Sequence, residues 1–258
     1  MTPVKIIFLD IDGTLIDPQT GRISQRTRQT LQALHANGIK LCIVTGRPPA
    51  SLPDFGDLHF DAMATFNGCF CYAGPQVIYS NPIDPEAVRI VLQNASMLGR
   101  PVSVAVRDRL AANGIDPDLA DYYRLADLVL TVAEDFAETC REDIYQIMLG
   151  CRESDHTAIL RGADNVKIAV SWERAVDVIP ASGGKGSAIR HILNYYGLDR
   201  SAAIAFGDGC NDIEMLQEVG TGIAMGNAAP QLKAVADRIC GSVADDGIYT
   251  YCVEQGLI

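Results

Sequence analysis

The chain lacks any apolar run long enough to cross a bilayer, and no secretion signal is recognisable in it. Both absences set the expectation of a soluble protein in a reducing, cytoplasmic compartment, with no membrane partner. Its eight cysteines include no CxxC pair. Several lie in apolar runs, such as Cys42 in Lys-Leu-Cys-Ile-Val, where cysteine packs as a small hydrophobe. The four histidines (His35, His59, His156, His191) fall in no ligand spacing, which argues against zinc. Basic charge is short as well: 21 Lys and Arg face 32 Asp and Glu, for a net −11. That balance excludes a general polyanion-binding surface, and no local basic patch points to nucleic acid. A phosphorylated ligand must instead be held by a local arrangement, a metal included. Repeats and low-complexity tracts are absent, and nothing indicates an oligomeric state.

What is present is an ordinary globular composition, 48% hydrophobic over 258 residues. That suits one large α/β domain, or two with one inserted in the other. Val4 to Leu9 is an apolar run apart from Lys5, short enough for a buried parallel strand. A helix is predicted from Ser24 to Asn37, stopped by Gly38. Strands follow at Leu41–Val44 and Ala62–Phe66. Strand, helix, strand at this spacing is a βαβ unit, which implies a parallel sheet covered on both faces. The same grammar returns from Lys185 onward. Between them, alternating strands and helices suggest an α+β insert with a largely antiparallel sheet, bounded by turn-rich Asn81-Pro82 and Pro180 to Gly184. The expected division is a Rossmann-like core over 1–82 and 183–258 and an insert over 83–182.

Four short constellations carry chemistry. Asp10-Ile-Asp12-Gly-Thr-Leu15 follows the first strand directly, where ligands bind in open α/β sheets. Its i, i+2 carboxylates share one side while the strand lasts, and they repel unless a cation or a shared proton relieves them. Magnesium would do so; a plain strand-end turn is the alternative. Asp208-Gly-Cys-Asn211-Asp212 also follows a buried strand and supplies further acids. Asp212 can serve as a helix N-cap besides, with Asp208 nearer the metal. Thr45-Gly46-Arg47 ends the second strand with a hydroxyl and backbone N–H groups suited to phosphate oxygens. Lys185, at a helix start, is unfavourable with the helix dipole unless an anion lies nearby; otherwise it is a solvated surface lysine. Gly184-Lys185-Gly186-Ser187 is not a P-loop, and Gly220 to Gly226 is not a dinucleotide fingerprint.

In this order the four pieces resemble the motifs of the haloacid dehalogenase-like phosphatases. Phe66-Asn67-Gly68, Met225-Gly226-Asn227-Ala228 and Asp245-Asp246-Gly247 add matches to the Cof-type branch, whose α/β cap lies between the second and third motifs. The resemblance spans the chain, although the insert matches only in length and pattern. It implies Asp10 as nucleophile and Asp12 as general acid and base. It implies magnesium held by Asp10, the Asp12 carbonyl and Asp208. Thr45, Gly46, Lys185 and Asn211 would hold the phosphoryl group, and Asp212 would orient Lys185 or a metal-bound water. Arg47 and Asn67 are candidates for the substrate rim. The implied reaction is hydrolysis of a small phosphorylated metabolite, a sugar phosphate or a cofactor such as FMN or pyridoxal phosphate. A phosphotransferase or mutase is the rival within enzymes, and an inactive phosphate-binding regulator the rival outside them.

Overall fold

The computed structural model describes residues 3–258. Its strands, in chain order, are β1 (Ile6–Leu9), β2 (Lys40–Val44), β3 (Ala62–Thr65), β4 (Phe70–Ala73), β5 (Gln76–Ser80), β6 (Val102–Ala105), β7 (Leu110–Ala112), β8 (Gln146–Gly150), β9 (Val166–Trp172), β10 (Ala175–Pro180), β11 (Ala203–Gly207), β12 (Thr221–Ala224) and β13 (Arg238–Ile239). By its contacts the chain resolves into two compact units. The first ends at Thr45, resumes over Pro53–Tyr79 and closes with Lys185–Ile258. The second is Ser80–Gly184 together with Gly46–Leu52. Sequence reading gives no hint of that short segment's grouping.

The first unit is built on an eight-stranded sheet ordered β13-β12-β11-β1-β2-β3-β4-β5. Every neighbouring pair from β13 to β3 is parallel. All residues of β1 and β11 are buried, so side chains on both faces are covered, as a continuous apolar run requires. Parallel pairing ends at Thr65, where β4, a strand that sequence reading does not give, runs antiparallel to β3. Only Phe66–Cys69 separates these two strands. A parallel return needs a crossover of about a dozen residues, so so short a link can only reverse the chain.

Helix Gln25–Ala36 makes the first crossover. Ser24 caps it by accepting from the Thr27 N–H, and Thr27, Thr30, Leu31 and Leu34 form its buried stripe. This crossover carries the chain from β1 to β2 on one side, while β11 takes the other side of β1. The order of strands therefore reverses at β1. Such a switch point opens a crevice at the carboxyl ends of the strands, and there the fold places Asp10, Thr45, Phe66 and Asp208.

The second unit holds a five-stranded sheet, β7-β6-β8-β10-β9, in which every neighbouring pair is antiparallel. Val102 and Val104, Ile147 and Leu149, Val176 and Val178 alternate with the period of two and share one core with Val88 and Val91 of helix Pro85–Met97. That helix starts on Asp84, whose carboxylate accepts from the N–H of Glu86 and of Ala87. Among the described residues, no helix is long and apolar enough to cross a membrane.

Candidate active site

Asp10 follows β1 directly, and its N–H donates to Phe206 O of β11. β1 stops at Leu9, so the shared strand side predicted for Asp10 and Asp12 does not arise. Instead the Ile11 carbonyl accepts from the N–H groups of Thr14, Leu15 and Ile16, which turns the chain sharply. Asp10 is left buried and Asp12 exposed. The two carboxylates thus live in different surroundings. One is shielded from water, and the other is in exchange with it.

Lys185 is 1% exposed, which removes the reading of a solvated surface lysine. Its Nζ donates to Asp10 Oδ1 at 2.6 Å and to Asp212 Oδ1 at 2.5 Å. The second oxygen of Asp212 accepts from the N–H groups of Asp208 and Gly209, both at 2.9 Å. Asp212 therefore does not cap the helix that follows it, Ile213–Gln217, as predicted. It reaches backwards and holds its own loop and the lysine together. The structure allows this approach because Gly207 has no β-carbon; one placed there would lie 2.7 Å from the Asp212 side chain.

Asp208 Oδ1 accepts from the Thr14 hydroxyl at 3.0 Å, joining the first and fourth motifs. The Gly13 carbonyl accepts from Asn227 Nδ2 at 2.8 Å, and Asn227 Oδ1 accepts from the Val243 N–H. The motif reading assigns no role to Thr14 or Asn227, although both lie within the segments it matched. Asp246, in another of those segments, accepts from Ser24 Oγ and lies 3.6 Å from Arg26, which fastens the C-terminal region to helix Gln25–Ala36.

Thr45 is buried, and its carbonyl accepts from the Asn67 N–H at 2.9 Å. Phe66 and Asn67 take left-handed backbone angles, φ 53° and 52°. That turn aims the buried Asn67 side chain at Asn211, whose Nδ2 donates to Asn67 Oδ1 at 3.0 Å. Arg47, proposed from sequence for the core-side rim together with Asn67, falls instead in the second unit, as does Gly46. Its guanidinium donates to the carbonyls of Ser51 and Ala126 at 2.9 and 3.2 Å.

Charge is out of balance here. Burial pushes the Asp10 pKa well above the usual carboxylate range; Lys185 opposes the shift, and Asp212, Asp208 and Asp12 add to it. Asp208 is pushed up to about 7, by burial first and then by Asp212. Burial works against the Lys185 charge, yet Asp10 and Asp212 outweigh it and hold the ammonium above its ordinary value. One ammonium cannot neutralise so many carboxylates. Asp10, Asp208 and Asp212 each bring an oxygen within 4.8 Å of the others. Hard oxygen donors with unrelieved negative charge fit a small divalent cation such as magnesium. Asp212 already spends its oxygens on Lys185 and two N–H groups, so Asp10 and Asp208 are the better donors.

A model of the haloacid dehalogenase-like hydrolase family matches residues 7–251. YkrA of Bacillus subtilis is 34% identical to this chain, over 98% of each. The 5-amino-6-(5-phospho-D-ribitylamino)uracil phosphatase YitU of the same organism is 30% identical, also over 98% of each. Among solved structures, the HAD subclass IIB sugar phosphatase BT4131 matches with a TM-score of 0.92 at 29% identity, covering 99% of this chain and 100% of that one.

Proposed function

We propose that this chain, which belongs to the haloacid dehalogenase-like hydrolase family, is a magnesium-dependent phosphatase working through an aspartyl-phosphate on Asp10. The observation that carries this reading is the buried ammonium of Lys185 held between Asp10 and Asp212, with Asp208 beside them. A carboxylate fixed through one oxygen by a lysine is an oriented nucleophile.

In the proposed reaction the other oxygen of Asp10 attacks phosphorus, and the ester P–O bond breaks. Exposed Asp12 gives its proton to the departing alcohol oxygen. It then takes a proton from water, which attacks the same phosphorus, restores Asp10 and frees phosphate. Thr45 and Asn211 position the phosphoryl oxygens, while Lys185 offsets their charge. Magnesium, held by Asp10, Asp208 and the Asp12 carbonyl, would neutralise charge on the transferring group. The substrate class is a small phosphomonoester, a sugar phosphate or a phosphorylated cofactor; relatives named for a sugar phosphate and for a ribityl phosphate support it. All eight cysteines are free thiols, which supports a reducing, cytoplasmic setting.

The test is turnover in ¹⁸O-labelled water with an aryl phosphate, with and without magnesium. Magnesium-dependent release with one label in each phosphate is expected. Product phosphorylated on a new hydroxyl would make the enzyme a transferase, and no turnover at all would count against catalysis.

A further inference from the structure

A second group of metal-ligating side chains lies outside the acidic centre. His35 lies exposed in the last turn of helix Gln25–Ala36, His59 lies in the loop before β3, and Asp61 leads into that strand. Spacing in the sequence shows no relation among them. The fold nevertheless brings one ligand atom from each to within 4.8 Å of the others. The two imidazole rings stand 4.7 Å apart between centroids, and His35 Nδ1 lies 3.9 Å from Asp61 Oδ2.

We propose that His35, His59 and Asp61 form a binding site for a divalent transition-metal ion of the zinc type. Two imidazole nitrogens and one carboxylate suit zinc or copper(II), in contrast to the all-oxygen acidic centre, which suits magnesium. A surface His–Asp ion pair would need only His35 and Asp61. The second imidazole, tilted 48° to the first, is what such a pair leaves unexplained and a metal site requires.

The carboxylate is also held in place, as ligating carboxylates are. Asp61 Oδ2 accepts from the Leu41 N–H at 3.0 Å and Oδ1 from Lys40 Nζ at 3.2 Å, while its backbone carbonyl accepts from Tyr196 Oη at 2.9 Å. Both histidines are exposed, so their rings can rotate onto an ion and water can complete its coordination. A cavity of about 170 Å³ adjoins them, lined by Leu31, Gln32, Asp57 and Leu58 as well as the two histidines. The Lys40 ammonium opposes a cation here, and its removal is expected to tighten binding.

The site's place in the sheet separates it from catalysis. Lys40 and Asp61 stand at the amino ends of β2 and β3, whereas Thr45 and Asn67 follow their carboxyl ends. An ion here would tie the helix end to the loop before β3. Its effect is therefore on stability, by preferential binding to the folded chain.

The experiment uses the whole protein with magnesium in excess, so that the acidic centre is masked. Copper(II) should give an electron paramagnetic resonance signal coupled to imidazole nitrogen, and zinc should raise the melting temperature. His35→Ala and His59→Ala should each weaken zinc binding about tenfold or more, and the double variant should lose the nitrogen coupling. His156→Ala should change neither, and Lys40→Gln should bind more tightly. Circular dichroism checks that the variants fold. A copper signal without nitrogen coupling in the natural protein, or coupling that survives in the double variant, overturns the proposal.

Discussion

Gly13 lies so close to Asp208 that a β-carbon on it would fall 2.2 Å from Oδ2. Its φ of +79° already disfavours any other residue. Gly13→Ala must therefore either push Asp208 aside or distort the turn after Ile11. Expected are a higher magnesium requirement for turnover and a loss of stability of about 1–2 kcal/mol from the backbone alone. Magnesium titration of activity and thermal unfolding test the two effects; a variant unchanged in both would mean Asp208 does not serve the metal.

Asp10→Asn preserves shape and removes the nucleophile. The variant should fold, as judged by circular dichroism, yet turn over no phosphomonoester. In the natural protein a beryllium fluoride adduct should form on Asp10. Full activity in the variant, or an adduct elsewhere, contradicts the mechanism.

Lys185→Met removes the only ammonium that, among the described residues, the buried Asp10 and Asp212 touch. Leaving buried charge unpaired costs about 3–5 kcal/mol. Turnover should fall by about 10²–10³-fold or more, the scale of losing one group that stabilises developing charge. Denaturant unfolding and single-turnover rates read these separately.

The pH dependence follows from the raised carboxyls. Asp10 and Asp208 hold protons in the folded state that they have lost in the unfolded chain, over a window from about 4, the ordinary aspartate value, to about 7 for Asp208. Folded-state protons in excess make stability fall as pH rises through that window. Asp118 acts the other way. Its bonds to Arg152 and Arg174 lower its pKa, so its contribution is lost as pH drops. The difference between melting curves with and without magnesium isolates the acidic site. Magnesium at a hundred times its dissociation constant should stabilise by about 2.7 kcal/mol at neutral pH and by less near pH 5, where protons compete for Asp208. A shift independent of pH would remove Asp208 from the metal site.

Some of this architecture is legible in residues alone, and particular physics hides the rest. Helix Gln25–Ala36 is readable because Ser24 and Gly38 mark its ends and its apolar face is periodic. β1, β2 and β11 are readable because a strand buried on both faces is a short apolar run. β4 and β5 are not, since their link to β3 contains no conventional turn pair and the preceding βαβ unit argues for parallel pairing. β13 is two exposed residues with no pattern at all. In the site, the motif order places Asp10 and Asp208 after the neighbouring strands β1 and β11, and Lys185 at a helix start. The direction in which Asp212 reaches, the split between buried Asp10 and exposed Asp12, and the meeting of His35 with His59 all depend on tertiary approach, which leaves no mark on local spacing.

Phe66 and Asn67 offer a consequence for the lifetime of the folded molecule. Two successive residues with positive φ store about 1–3 kcal/mol each. The bonds that hold them run to Thr45 and Asn211, distant in the chain, so the strained turn is complete only when those segments have come together. Strain that is complete only after distant segments meet is expected to be weakly developed at the folding barrier, so that it acts on the rate of unfolding more than on the rate of folding. The loop that carries Asn67 into the crevice is thus also the place where the protein's kinetic persistence is shortened.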